Sequence, residues 1–154
     1  MDLIQSDLER LMWLCIGEAQ KARTSMIYKP WVGAVVLSED NKVLSRGHKR
    51  KIIGTSMIEH AERDAVNQLS PYATPHTLIT TLEPCVQLNK SVRRRCVLQS
   101  CSDLIVEHNI QRVIYAVRDY SSIVQGQGVP QLKSAGIEVI QYDRLNGIIS
   151  DMLL

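Results

Sequence analysis

Residues 101–119 read CSDLIVEHNIQRVIYAVRD, and this run combines a short helix with a strand. Leu104, Ile105 and Val106 follow a polar start, which is typical of a helix that buries one side. Asn109 is a residue type that tolerates the left-handed conformation, so we predict that the helix ends there. Residues 110–117 are rich in β-branched side chains and are predicted to form a strand.

The chain after this strand predicts a parallel pair of strands. A short helix is expected over residues 129–135, since Pro130 stands near its start and Gly136 follows its end. Residues 137–141 supply another strand. A strand, a helix and a strand in one sheet form a right-handed parallel crossover, so the last two strands should lie side by side. The fold class is therefore α/β, and residues 144–154 have the apolar spacing of a closing helix or a subunit contact.

The first part of the chain predicts a helix followed by a hairpin. Between residues 3 and 22, apolar side chains recur every three to four positions, which indicates an amphipathic helix. Cys15 lies on this apolar stripe and is interpreted as a core residue. Residues 32–37 form a continuous apolar run, and a polar turn separates them from a second strand that begins at residue 43.

Three residues in the middle of the chain have the chemistry of a metal site. His60 and Glu62 stand at the start of a helical stretch, and Cys85 follows a strand over residues 77–81. Imidazole and thiolate ligands suit Zn²⁺, and three protein ligands leave one position open for water, as in catalytic sites. A carboxylate beside such a site is placed to take a proton from water. The order His-x-Glu and then Pro-Cys resembles that of zinc base deaminases, although residues 85–88 lack the usual close second cysteine.

The third ligand has two candidates, Cys96 and Cys101. We prefer Cys101, because the N-terminus of a helix stabilises a thiolate. Cys96 follows three arginines, and a cationic neighbourhood also favours a thiolate. The competing interpretations are a closed structural zinc site with four protein ligands, and buried core cysteines that bind no metal.

Most of the chain resembles a known family. The runs at residues 101–119, 126–128 and 132–139, together with residues 30–36 and 81–85, resemble the deaminase domain of riboflavin biosynthesis, the diaminohydroxyphosphoribosylaminopyrimidine deaminase. This domain belongs to the zinc-dependent cytidine and deoxycytidylate deaminase superfamily. The resemblance implies a three-layer α/β/α cytidine-deaminase-like fold, with a mixed five-stranded sheet whose last two strands are parallel.

The resemblance also implies an activity and its residues. Zn²⁺ would be bound by His60, Cys85 and Cys101, and Glu62 would carry the proton. The implied reaction is the hydrolytic deamination of an aminopyrimidine ribonucleotide by zinc-activated water, with release of ammonia. Deaminases of this type often form oligomers, so we expect a homo-oligomer.

The predicted substrate contacts depend on single residues and one short cationic run. Lys29 stands where the family has an asparagine before Pro30, and His48 aligns with a family histidine near the substrate. Arg93, Arg94 and Arg95 are candidates for binding a phosphate, because guanidinium groups bind phosphate oxygens in bidentate fashion. The cations at residues 49–51 are interpreted as an ordinary solvated loop, with binding of a phosphate as the alternative.

The length and composition of the chain limit its domains and its classes of partner. The 154 residues are interpreted as one zinc-dependent deaminase domain, residues 1–154, without room for the reductase domain that the family often has fused to it. A formal net charge of +2 and the absence of phenylalanine give no nucleic-acid signature. Four cysteines, no secretory leader and no long apolar span predict a cytoplasmic protein without a membrane partner.

Two other functions stay open at this stage. One is a deaminase of another small substrate, such as a cytidine or deoxycytidine nucleotide or a pathway-specific pyrimidine. The other is a catalytically idle binding module that keeps zinc for stability. Glu62 argues against the idle module, because a purely structural zinc site needs no proton carrier.

Overall fold

The described part of the chain, residues 3–25, 27–86, 100–119 and 127–154 of a computed structural model, alternates helices with strands. The helices are α1 (Gln5–Gln20), α2 (Ala61–Asn67), α3 (Cys101–Glu107), α4 (Gly128–Ser134) and α5 (Asn146–Leu153). The strands are β1 (Gly33–Leu37), β2 (Val43–His48), β3 (Arg50–Lys51), β4 (Ile58–Glu59), β5 (Thr77–Leu82), β6 (Arg112–Val117) and β7 (Glu138–Gln141), and a 3₁₀ turn (Lys21–Ser25) follows α1. The helices and strands predicted from the sequence lie at nearly these bounds. Asn109 has the left-handed φ of 56° expected after α3.

Five of the described strands form one mixed sheet in the order β2-β1-β5-β6-β7. β1 pairs antiparallel with both β2 and β5. β5, β6 and β7 run parallel, so the prediction that the last two strands are parallel neighbours is confirmed. β3 and β4 form a separate antiparallel pair. The carboxyl ends of β5 and β6 therefore meet at one edge of the larger sheet.

Helices cover both faces of this sheet. Successive side chains of a strand point to opposite faces. In β1, Val35 and Leu37 join an apolar cluster with α1 and α5, whereas Ala34 and Val36 join a second cluster with α2, α3 and α4. The predicted three-layer α/β/α arrangement is confirmed. Cys15 is fully buried in the first cluster, as its place on the apolar stripe indicated.

Helix α2 packs directly on the backbone of β2. A Cβ atom added to Gly47 would lie 2.2 Å from the Ala65 nitrogen and 2.5 Å from the Ala61 carbonyl oxygen. Only glycine permits so close an approach of two backbones. The small residue at this point fixes the start of α2, and with it His60 and Glu62, relative to the sheet.

Helix α5 closes the face that α1 covers. Ile149 and Leu153 are buried in the first cluster. The Trp31 amide N–H donates to the Leu153 carbonyl at 2.8 Å, which joins the end of α5 to the segment before β1. The closing helix expected at the end of the sequence is present. Across the described residues, α5 included, no helix combines the length and apolar character needed to cross a membrane.

Candidate metal centre and active site

The candidate site lies at the carboxyl edge of the parallel strands. β5 ends at Leu82, and the next three residues lead to Cys85 at the edge where β6 also ends. The amide N–H of Glu83 donates to the Val117 carbonyl at 2.8 Å and ties the two strand ends together. Ligand sites of open α/β sheets form at such edges, because loops and helix starts converge there.

Three potential metal ligands meet at this edge. One side-chain donor atom from each of His60, Cys85 and Cys101 lies within 4.8 Å of the others. His60 Nδ1 is 3.5 Å from Cys85 Sγ and 3.3 Å from Cys101 Sγ. Tetrahedral zinc with ordinary bond lengths separates a nitrogen and a sulfur ligand by roughly 3.6 Å, so the spacing fits the ion. One imidazole and two thiols are also a donor set that zinc prefers.

The backbone explains why these side chains converge. His60 is the extended residue that precedes α2, and Cys101 is the first residue of α3. The free N–H groups at the start of α3 are used by Cys85: the Cys101 N–H donates to Cys85 Sγ at 3.3 Å, and the Ser102 N–H donates to the Cys85 carbonyl at 3.1 Å. The first turn of α3 thereby holds Cys85 in place.

The two sulfurs and the imidazole form a hydrogen-bonded group. A hydrogen bond from Cys101, together with one from His60, lowers the pKa of Cys85 to about 3. Donation to Cys85 and burial raise the pKa of Cys101 above its ordinary value. The same contact with Cys85 raises the pKa of His60. Zinc binds thiolates and neutral imidazole, so metal binding here must displace the protons of Cys101 and of protonated His60.

Glu62 lies beside this group on the first turn of α2. The side chain is buried, and the Thr80 hydroxyl, which is fully buried on β5, donates to Glu62 Oε1 at 3.3 Å. Burial raises the pKa of Glu62, and the nearby His60 offsets part of that rise. A carboxyl group with a raised pKa both accepts and returns protons near neutral pH.

A small cavity of about 120 Å³ opens onto the site. Its wall combines potential ligands, carboxylates and a cation: His60, Cys85, Glu62, Glu83, Asp119 and Lys49. The cavity thus gives a small molecule access to both the candidate metal ligands and Glu62.

Glu83 organises one side of this cavity, a role that the sequence did not reveal. Its carboxylate accepts the N–H groups of Asp119 and Val129 at 3.3 and 3.4 Å. A Cβ atom on Gly128 would lie 2.3 Å from the Pro84 carbonyl oxygen, so the start of α4 touches the loop that bears Cys85. The motif Glu-Pro-Cys was visible in the sequence, but the two amide donors lie more than thirty positions further along.

The interpretation of residues 49–51 as a solvated loop is wrong for two of the three. Arg50 forms ion pairs with Glu59 and with Asp64 at 2.8 and 3.0 Å, and its backbone belongs to β3. Lys49 is half-buried and lines the cavity. Neither environment follows from the local sequence, because the partners come from β4, α2 and the segment before β1.

The predicted substrate residues that the structure describes lie in different environments. His48 Nδ1 lies 3.6 Å from Glu18 and 3.9 Å from Asp64, and His48 is not among the described residues that line the cavity. Lys29 is exposed, with Nζ 5.0 Å from the centre of the Trp31 ring. The predictions for Arg93, Arg94, Arg95 and Cys96 lie outside the described residues. All of these substrate contacts stay predictions.

Ser100 caps helix α3, and its replacement has a measurable cost. The Ser100 hydroxyl accepts the Asp103 N–H at 3.1 Å. Loss of such a cap costs about 1 kcal/mol, so Ser100→Ala should lower the free energy of unfolding in urea by that amount. We also expect weaker zinc binding, because Cys101 is the next residue. Ser134→Ala, which removes an exposed hydroxyl from α4, should change stability by less than about 0.5 kcal/mol. Equal effects of the two variants would contradict the capping role.

The chain is similar to known proteins in both its sequence and its fold. The riboflavin biosynthesis protein RibD of Aquifex aeolicus is 34% identical over 128 residues, which are 83% of this chain and 33% of that protein. The diaminohydroxyphosphoribosylamino-pyrimidine deaminase of Buchnera aphidicola is 33% identical over 110 residues, 71% of this chain and 67% of that protein. The chain spans about a third of the length of the RibD proteins it matches.

A solved structure agrees with these relatives. The crystal structure of a diaminohydroxyphosphoribosylaminopyrimidine deaminase/5-amino-6-(5-phosphoribosylamino)uracil reductase from Thermotoga maritima superposes with a TM-score of 0.74 at 30% identity, and the match covers 95% of this chain and 39% of that chain. The resemblance to riboflavin deaminases is thereby confirmed. Residues 5–117 match the family model of the cytidine and deoxycytidylate deaminase zinc-binding region, and these residues include His60, Glu62, Cys85 and Cys101. With this match and the convergence of three zinc-type ligands beside a buried glutamate, the chain belongs to the cytidine and deoxycytidylate deaminase family.

Proposed function

We propose that residues 1–154 are a single zinc-dependent deaminase domain that hydrolyses an aminopyrimidine ribonucleotide of the riboflavin-pathway type. The observation that carries this proposal is the cluster of His60, Cys85 and Cys101 near the buried carboxyl of Glu62, with His60, Cys85 and Glu62 on the wall of one cavity. The relatives named above support the substrate class, since their names refer to a phosphoribosylaminopyrimidine.

The reaction replaces an exocyclic amine by oxygen. Water adds at the ring carbon that bears the amine, and the carbon–nitrogen bond then breaks with release of ammonia. His60, Cys85 and Cys101 would hold zinc, which would supply a Lewis acid that activates water.

Glu62 moves the proton in this scheme. Its carboxylate accepts a proton from the attacking water and delivers it to the leaving amine. The Thr80 hydroxyl holds Oε1 at 3.3 Å, which keeps the carboxyl group directed instead of rotating freely. Burial raises the pKa of Glu62 toward the value at which proton uptake and release are both rapid at neutral pH.

A cytidine or deoxycytidine nucleotide, or another pathway-specific pyrimidine, is the second candidate substrate. The family whose model matches includes deoxycytidylate deaminases. Lys29 also replaces the asparagine found before proline in the riboflavin deaminases, and a cation cannot accept hydrogen bonds as an amide does. The idle zinc module is disfavoured, because Glu62 is buried at the cavity with no structural ion pair to explain it among the described residues.

Substrate contacts and assembly complete the proposal. We assign Lys29, His48, Arg93, Arg94 and Arg95 as candidates for substrate binding. A homo-oligomer and a cytoplasmic location are expected from the family, and sedimentation of the purified protein tests the first.

The experiment that tests the function measures ammonia release. Protein of known zinc content is incubated with a panel of amino-substituted pyrimidines and purines, each with and without a 5′-phosphate. We expect turnover of the diaminopyrimidine ribonucleotide and loss of turnover after removal of zinc by a chelator. Turnover of a cytidine nucleotide alone would assign the second candidate, and a fully zinc-loaded protein without any turnover would support the idle module.

A further inference from the structure

Lys49 stands out among the charged residues that line the cavity. The wall contains the carboxyl groups of Glu62, Glu83 and Asp119. Among the described residues of the wall, Lys49 is the only lysine, and there is no arginine. Glu83 is already engaged by two backbone N–H groups. Lys49 and His60 are thus the basic side chains of the described wall, and Lys49 is the one that is not a candidate metal ligand.

The position of Lys49 is fixed by backbone contacts. Its amide N–H donates to the Val32 carbonyl at 3.0 Å. Its Nζ donates to the carbonyl oxygens of Tyr28 and Pro30 at 2.9 and 3.1 Å. These contacts hold the side chain against the segment that precedes β1. The ammonium group thus exchanges part of its hydration for two backbone carbonyl oxygens.

The ammonium group keeps donor capacity for a ligand. It has three N–H groups, and the two carbonyl oxygens use two of them. No carboxylate of the described residues lies within ion-pair distance of Lys49 Nζ. Burial lowers the pKa of Lys49, which agrees with a cation that has lost part of its hydration. A partly dehydrated charge gains more from a ligand oxygen than a solvated one does.

We propose that Lys49 is a substrate-binding residue whose third N–H donates to an oxygen of the pyrimidine ligand. The acceptor is an anionic or carbonyl oxygen, and two parts of the substrate carry one: the 5′-phosphate and the ring carbonyl. This inference rests on the proposed function and extends it. The contact selects pyrimidines that present an oxygen toward Lys49 Nζ, beside the segment that precedes β1.

The test compares Lys49→Met with Lys51→Met. Lys51 is an exposed lysine two residues away and is not among the described residues that line the cavity, so it is a matched control. Dissociation constants are measured by calorimetry on zinc-loaded protein carrying Glu62→Gln, which prevents turnover. The ligands are cytidine, CMP, deoxycytidine, dCMP and the diaminopyrimidine ribonucleotide with its dephosphorylated form.

We expect Lys49→Met to weaken binding by about 10- to 100-fold, since a charge-assisted hydrogen bond is lost, and Lys49→Arg to retain part of the affinity. A loss confined to phosphorylated ligands identifies the phosphate as the acceptor. An equal loss for phosphorylated and unphosphorylated ligands identifies the ring carbonyl. Lys51→Met should match the parent protein.

Two results would overturn the inference. One is equal affinity of Lys49→Met and Lys51→Met for every ligand, and the other is failure of all these ligands to bind the parent protein. Because binding is measured without turnover, these outcomes are separate from the deaminase assay. A protein that binds the ligands through Lys49 and releases no ammonia would refute the proposed function and leave the role of Lys49 intact.

Discussion

Glu62→Gln should lower the rate of ammonia release by about 100- to 10,000-fold while zinc stays bound, as expected for loss of a general acid and base. Glutamine has nearly the same shape, and its amide oxygen still accepts the Thr80 hydrogen bond seen at 3.3 Å. It cannot take up a proton from water. The substitution therefore removes proton transfer and leaves the packing around α2 in place.

The measurement combines steady-state kinetics with zinc content. We expect kcat to fall much more than KM changes, because Glu62 acts on the reacting atoms instead of holding the remote part of the substrate. Glu9→Gln, at an exposed position of α1, is the control for a loss of negative charge and should leave kcat unchanged. Unchanged turnover in Glu62→Gln would rule out the proposed mechanism.

Cys101→Ala should abolish stable zinc binding and, with it, activity. The variant leaves His60 and Cys85 as the candidate ligands of the described residues. Loss of a direct ligand should exceed the about 10- to 100-fold drop in metal affinity that follows loss of a supporting contact. Elemental analysis of the purified protein measures the zinc per chain, and ammonia release measures the activity that remains.

Two other cysteines serve as controls for this experiment. Cys15 is fully buried on the face of α1 that packs on the sheet, and burial raises the pKa of its thiol, so Cys15→Ala should keep its zinc although it loses some stability. Cys96→Ala addresses the alternative ligand directly and should also keep its zinc. Zinc loss in Cys96→Ala with retention in Cys101→Ala would transfer the ligand role to Cys96, and loss in both would indicate a closed site with four protein ligands.

Features that follow from neighbouring residues were predictable from the sequence, whereas contacts between distant segments were not. The left-handed residue Asn109 after α3 and the parallel pairing of β6 with β7 were predictable, because helix stops and crossovers follow from neighbouring residues. The convergence of His60, Cys85 and Cys101 was also predictable. Each residue begins a helix or follows a strand, and such positions meet at one edge of a sheet.

The environments of the charged residues were not predictable. Lys49 is held by carbonyl groups of residues about twenty positions earlier, and Glu83 by amides from two later segments. A run of cations such as residues 49–51 looks the same in the sequence whether it is solvated or buried. Its partners belong to other elements, and their approach depends on contacts such as that of Gly47 with α2.

The sequence by itself determined the order of the main helices and strands, the pair His60 and Glu62 and the zinc-type chemistry of the candidate ligands, since these depend on residue type and local pattern. The tertiary structure brought Cys101 to 3.3 Å from His60 across 41 positions of the chain. Only the tertiary structure decided which polar groups surround the cavity. Backbone carbonyl and amide groups are identical at every residue, so their positions become specific only when the chain has folded. Lys49 and Glu83 acquire their roles from such groups.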